Sequence, residues 1–174
     1  LKSVIRQKYK NWELIFWDNR STDNSSRIFK SFKDRRFKYF LSKKHTTLYK
    51  ARNLAYKKAK GEFVAFIDCD DLWYPNFLSE RKDFFQDKNY KFSYSNFHYH
   101  FQKTNRKVLK TSMDLKSGLI YNFLAKNYLV AISSLIIKND LLKKKKKFFN
   151  EKYNIIGDFD AVMKISKNFK AYAF

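Results

Sequence analysis

Acidic residues are scarce in this chain, 16 against 38 Lys plus Arg, and so are glycine (3), proline (1) and cysteine (1). One cysteine cannot close an internal disulfide or supply a cysteine-rich zinc site. Nothing therefore asks for an oxidising compartment, and Cys69 reads as a reduced, half-buried filler. Long apolar runs are missing as well. FVAFI at 63–67 and AISSLII at 131–137 fall far short of the roughly 20 residues a bilayer span needs, and no signal-peptide pattern opens the chain. The expectation is one soluble, cytoplasmic domain, long enough at 174 residues and 44% hydrophobic content to bury a core.

The excess of basic residues, a formal charge of +22, would ordinarily point to nucleic acid or an anionic membrane. Abundant Lys, Asn, Phe, Tyr and Ile beside little Gly and Pro is also what an AT-rich coding sequence produces without selection for binding. The run KKKKK at 143–147 reads as a solvated loop that can still favour an anionic lipid surface, so peripheral contact at the inner face of a membrane is a secondary expectation. No RNP-like aromatic strand, zinc-finger spacing or heptad-linked basic region is present, which speaks against a specific nucleic-acid partner. His98 and His100 have a spacing that can bind zinc, without an evident third ligand.

Periodicity alternates between helix and strand. LKSVIRQKYK reads as a helix, ELIFW as a strand, TDNSSRIFKSF as a helix, FKYFL as a strand, TLYKARNLAYKKA as a helix and EFVAFI as a strand. Strands separated by helices imply a parallel sheet. The later part predicts a helix from Pro75 to Gln86, one antiparallel or edge strand over KFSYSNFHYHF and a short helix at Leu119–Lys126. A strand over Ile132–Lys138, a helix over Asp158–Asn168 and a last strand at AYAF complete it. A helix in an α/β unit follows a strand, so a first strand is expected upstream of Leu1.

Ligands of open parallel sheets bind beyond the carboxyl ends of the strands. Two acidic clusters fall there: ELIFW runs into Asp18 and Asn19, and EFVAFI runs into Asp68, Cys69, Asp70 and Asp71. Neighbouring strands would then present carboxylates to one crevice, and like charges crowded together call for a cation. A magnesium-type ion needs one or two protein carboxylates if phosphate oxygens supply the rest. The alternative, in which Asp71 caps a helix and Asp68 ends a strand, is equally open for an isolated D-x-D-D.

Three stretches, SVIRQKYKNWELIFWDNRSTDNS, YKARNLAYKKAKGEFVAFIDCDDLWYP and IIGDFDAVMKIS, resemble in order the motifs of family 2 glycosyltransferases. The resemblance implies a GT-A type, Rossmann-like α/β/α sandwich with a mostly parallel central sheet and an antiparallel edge. It also implies inverting transfer from a nucleoside-diphosphate sugar to a glycan or lipid-linked acceptor, with Mg²⁺ or Mn²⁺ as cofactor. By position, Asp18 is expected at the nucleobase, Arg52 and Asn53 near the nucleoside and phosphates, Asp68 at the ribose and Asp70 on the metal. Asp158 matches the general base, with Asp160 in reserve. An N-terminal helix position also suits Asp158 as a plain cap. Two departures stand out: Arg20 occupies a place where Gly is common, and Gly157 replaces the Glu that usually precedes the base. The rival functions are a basic nucleic-acid-binding module and a non-catalytic sugar-nucleotide-binding fragment.

Overall fold

Aromatic residues build the first layer. In a computed structural model describing residues 1–174, Leu14–Asp18 (β1) pairs in parallel with Phe37–Leu41 (β2), Leu14 opposite Phe37 and Asp18 opposite Leu41. The connecting helix, Ser25–Ser31 (α2), drops Phe29 onto this ribbon, where it stacks on Phe16 at 4.6 Å and on Phe37 at 5.2 Å between ring centroids. Alternation along a strand sends Phe16 to the helix side, and Phe29 is the one residue of α2 that is buried. Upstream, Lys2–Ile5 (α1) is a single turn. It is shorter than LKSVIRQKYK suggests because Gln7, wholly buried, turns its amide to the Tyr74 carbonyl and the Leu78 amide, pulling the chain out of the helix.

A four-stranded sheet carries the main core. Phe63–Ala65 (β3), Tyr90–Tyr94 (β4), Ile136–Lys138 (β7) and Lys170–Ala173 (β8) lie in the order β3-β7-β4-β8, with β7 antiparallel to both neighbours and β4 parallel to β8. The α/β class and the parallel pairs β1/β2 and β4/β8 agree with the sequence reading. The antiparallel strand, however, lies inside the sheet. KFSYSNFHYHF is also two strands, β4 and the exposed hairpin strand His98–Phe101 (β5), which pairs with Arg106–Leu109 (β6). Phe92, Ser93 and Tyr94 are all fully buried, so alternation there marks a strand covered on both faces. The break falls at Asn96, whose side chain accepts from the Phe97 amide and donates to the Thr111 carbonyl.

Helices cover this sheet: Leu48–Tyr56 (α3), Lys82–Gln86 (α4), Tyr121–Lys126 (α5), Asn139–Lys143 (α6) and Gly157–Ser166 (α7). The expected helix at 75–86 reduces to a 3₁₀ turn at Ser79–Arg81 followed by α4, and the expected strand at 132–138 begins as a 3₁₀ turn at Ile132–Ser134. α7 buries Ala161, Val162 and Ile165 on the stripe that a 3.6-residue period predicts, and each of the two larger side chains contributes about 1.5–3 kcal/mol. No helix is long and apolar enough to cross a membrane.

β1 and β3 are not hydrogen-bonded to each other, so the two acidic strand ends do not come from paired neighbours. The two strands are linked at their starts instead, by Glu13, whose carboxylate accepts from the Lys60 and Gly61 amides ahead of β3 and pairs with Lys38 on β2.

Candidate functional site

At the end of β1 the chain reverses through Asp18-Asn19-Arg20-Ser21. Arg20 sits at φ +69°, the left-handed region that a glycine takes without cost, which explains why a different residue there is unusual. Asp18 holds the turn. It is 2% exposed and accepts from the Ser21 amide at 2.7 Å and the Tyr39 hydroxyl at 2.5 Å. Burial works against its ionisation, but the hydrogen bonds from Tyr39, Ser21 and Arg20 outweigh it and hold the carboxyl below its usual value. Asn19 locks this turn to the loop after β2, donating to the Thr46 carbonyl at 2.7 Å and accepting from the Thr46 amide and hydroxyl. Asn19, Lys44, His45, Thr46 and Asn154 line a shallow, open depression there.

β3 stops at Ala65, short of the strand that EFVAFI suggests, and three residues beyond it Asp68 meets Arg52. The guanidinium of Arg52 donates to both carboxylate oxygens, at 2.6 and 2.8 Å. The Arg52 side chain is 11% exposed and that of Asp68 41%, so the pair sits at the mouth of the crevice with its carboxylate outward. The Asp68 amide donates to Ser133 Oγ, and the Asp71 amide closes a turn onto the Asp68 carbonyl. Asp70 is exposed and makes no side-chain hydrogen bond or ion pair. Cys69 is exposed too, where a half-buried filler was expected, because the turn lifts it off the core. Desolvation by surrounding atoms raises its thiol, and the charges of Asp68, Asp70 and Asp23 push the same way.

Asp158 lies in the first turn of α7, but Ile156 is the N-cap and no side chain caps the helix. The cap reading of Asp158 therefore does not describe it. Its Oδ1 accepts from the Phe159 amide at 2.9 Å and from the Tyr49 hydroxyl at 3.3 Å. Asp160, the reserve, is paired with Lys164 one turn on at 2.7 Å. Tyr49 and Arg52 stand three residues apart on α3, so one face of that helix touches the base candidate with one side chain and the D-x-D aspartate with the next. The Arg52 guanidinium lies 5.6 Å from the centre of the Tyr49 ring.

Residues 1–165 match the family model described as Glycosyl transferase family 2. The chain belongs to that family. It is 34% identical over 142 residues to the Escherichia coli UDP-Glc:alpha-D-GlcNAc-diphosphoundecaprenol beta-1,3-glucosyltransferase WfgD, covering 82% of this chain and 54% of the relative. With the putative teichuronic acid biosynthesis glycosyltransferase TuaG of Bacillus subtilis it shares 26% identity over 140 residues, 79% of this chain and 55% of the relative. Among solved structures, S. aureus TarS 1-349 in complex with UDP-GlcNAc superposes with a TM-score of 0.78 at 21% identity, over 99% of this chain and 53% of that one. The chain spans about half the length of these relatives, and the TarS likeness shows that the family 2 domain has the GT-A fold.

Within the family 2 domain, Asn53 departs from the expectation of a nucleotide contact in an instructive way. It is 1% exposed, donates to the Phe149 carbonyl at 2.8 Å and to Glu151, and accepts from the Phe148 and Phe149 amides. Its polar atoms hold the 148–151 loop under α3. Asn53→Ala strands those backbone groups, and chemical denaturation is expected to report a loss of about 1–3 kcal/mol for each one left without a partner. A change within 0.5 kcal/mol would mean that water replaces the side chain.

Sequence reasoning missed Tyr49, the Asn19–Thr46 lock and Ser133. Tyr49 had one available signal, its place one turn before Arg52 on the helix leading to the D-x-D motif. Thr46 and Ser133 act through contacts 27 and 65 residues away in the chain and left none.

Proposed function

We propose that this domain transfers a sugar from a nucleoside-diphosphate sugar to an acceptor hydroxyl with inversion at the anomeric carbon. The observation that carries this reading is the continuous line of side chains Asp68, Arg52, Tyr49 and Asp158, which ties the D-x-D turn to the start of α7 through one face of α3. In this reading Asp68 and Arg52 face the donor, with the guanidinium offering charge to phosphate. Asp158 takes the acceptor's proton as its oxygen attacks. Asp18 shapes the nucleobase end through its turn, and Asn53 acts by holding the 148–151 loop.

No trio of His, Cys, Asp and Glu side chains converges to hold a metal by protein ligands alone. Asp70, exposed and free of other bonds, fits a magnesium-type ion that draws its remaining ligands from phosphate and water. Mg²⁺ or Mn²⁺ bound there would supply positive charge to the departing diphosphate. A Mn²⁺ complex with GDP-Man is described for the mannosyltransferase PcManGT of Pyrobaculum calidifontis, which shares this fold with a TM-score of 0.72 at 19% identity and covers 99% of this chain and 49% of that one.

The relatives named for diphosphoundecaprenol-linked and teichuronic acid products support a lipid-linked or glycan acceptor in surface polysaccharide synthesis. Lys143 to Lys147 are all exposed and only Lys147 is ion-paired, to Glu151, which supports peripheral contact with an anionic membrane. A thermal-shift panel of UDP- and GDP-sugars tests the donor assignment. One of them should raise the melting temperature, and more so with Mn²⁺ or Mg²⁺. A panel without any shift, repeated on the full-length protein, would remove the sugar-nucleotide reading.

A domain boundary belongs to this proposal. β1 has a ladder partner on one edge only, β2, and β3 likewise has only β7, so both offer unpaired N–H and C=O groups. A strand supplied from upstream of Leu1 would complete the GT-A domain at these edges. A protein extended upstream is expected to melt higher and bind its donor more tightly than residues 1–174; an extension that changes neither contradicts the proposal.

A further inference from the structure

Gly157 is the one position of the α7 start where the chain has no room for a side chain. A Cβ placed there would lie 2.6 to 2.7 Å from three atoms of the Tyr49 ring, and that ring, 1% exposed in the main core, cannot swing aside. Carbon atoms do not approach so closely, so Tyr49 and Gly157 are one packing unit: the ring occupies the space that any larger residue at 157 would need. The Tyr49 hydroxyl projects past Gly157 to the residues on either side of it. Its single proton is shared: the short contact is to the Ile155 carbonyl at 2.5 Å, with Asp158 Oδ1 as the secondary acceptor at 3.3 Å.

We propose that Tyr49 is the positioning residue for the Asp158 carboxylate. The inference rests on the reading of Asp158 as the base that receives the acceptor's proton. Tyr49 ties the backbone just before α7 to its first-turn carboxylate, from a helix that also holds Arg52 against Asp68. A second phenol packs on the residue that follows Asp158. The Tyr128 ring meets Phe159 edge-on at 4.8 Å, and its hydroxyl is buried without a hydrogen-bond partner. Burial, followed by the charge of Asp158, pushes both phenols above their usual range, so both stay protonated and neither competes for the proton that Asp158 receives. A carboxylate fixed between a donor on α3 and its own helix amide has few orientations left, which is the requirement for a base that must meet an incoming hydroxyl.

The test uses the full-length protein and release of nucleoside diphosphate from whichever sugar nucleotide the panel identifies. Tyr49→Phe keeps the ring over Gly157 and removes only the hydroxyl. It should lower kcat by about 10- to 100-fold with the donor KM unchanged. Loss of the bond to the Ile155 carbonyl lowers the melting temperature in either case; a purely structural tyrosine would leave kcat at the native value, which overturns the proposal. Gly157→Ala should lower both kcat and melting temperature in the native background, yet be tolerated when Tyr49 is already Ala, because the clash is gone. Equal costs in the two backgrounds would also overturn it. Asp158→Asn, measured in parallel, separates the two failures. If that variant keeps its turnover, the base assignment falls and this inference with it; if it is inactive while Tyr49→Phe is not, only the positioning role is lost.

Discussion

Asp158→Asn in the full-length enzyme is expected to lower turnover by roughly two to four orders of magnitude, the range over which a positioned general base acts. Donor affinity should stay nearly constant, because the base meets the acceptor and not the nucleotide. The substitution is conservative toward the fold for a reason visible at the site. Both contacts of Oδ1 are acceptor contacts, from the Phe159 amide and the Tyr49 hydroxyl, and an asparagine carbonyl oxygen keeps them. Only the charge is lost. Asp160→Asn is the control. Its carboxylate is engaged with Lys164 at 2.7 Å on the exposed side of α7, an i,i+4 pair of the kind worth about 0.3–0.5 kcal/mol. Steady-state release of nucleoside diphosphate, with calorimetry for donor binding, reads both variants. If Asp160→Asn abolishes turnover and Asp158→Asn does not, the base moves to Asp160, and the Tyr49 contact becomes a structural one.

Position along the chain carried the acidic residues well and their surroundings poorly. Asp18 and Asp158 stand at the strand end and helix start predicted for them, and Asp68 in a turn three residues beyond its strand, because periodicity and the D-x-D and I-I-G-D-F-D stretches are local signals. The sequence could not say which carboxylates were already spoken for. Asp18 is spent on its own turn, Asp68 on Arg52 and Asp160 on Lys164, while Asp70 is free. These pairings depend on residues 3, 16 and 4 positions away, and only the last follows from helical spacing. Asn53 shows the same limit. Its neighbour Arg52 faces the crevice, so an anion contact was a natural expectation for both. Consecutive residues on a helix point about 100° apart, and the second one faces the 148–151 loop instead. In the fold, KFSYSNFHYHF misled for a related reason. Alternation marks a strand with one wet face, whereas Ser93 is buried beside Phe92 and Tyr94, so a polar letter in the pattern concealed a central strand.

Asp70→Asn should remove the metal-dependent part of nucleotide binding and leave the fold as it is. The side chain is exposed and holds no hydrogen bond, so its loss belongs among surface substitutions that change stability by at most about 0.5 kcal/mol. Calorimetric titration of UDP or GDP with and without Mn²⁺ then isolates one quantity, the gain in affinity that the ion confers. In the native protein that gain should be present; in the variant it should vanish, while ion-free affinity rises slightly because one negative charge near the phosphates is gone. Asp68→Asn provides the contrast. It leaves Arg52, 11% exposed, without its carboxylate, so it should lower the melting temperature and weaken nucleotide binding whether or not the ion is present. The two aspartates of the D-x-D would then separate by signature, one through the ion and the other through the guanidinium. An Asp70→Asn protein that still gains affinity from Mn²⁺ would place the ion on Asp68 or Asp71, and the free carboxylate at position 70 would be an ordinary solvated one.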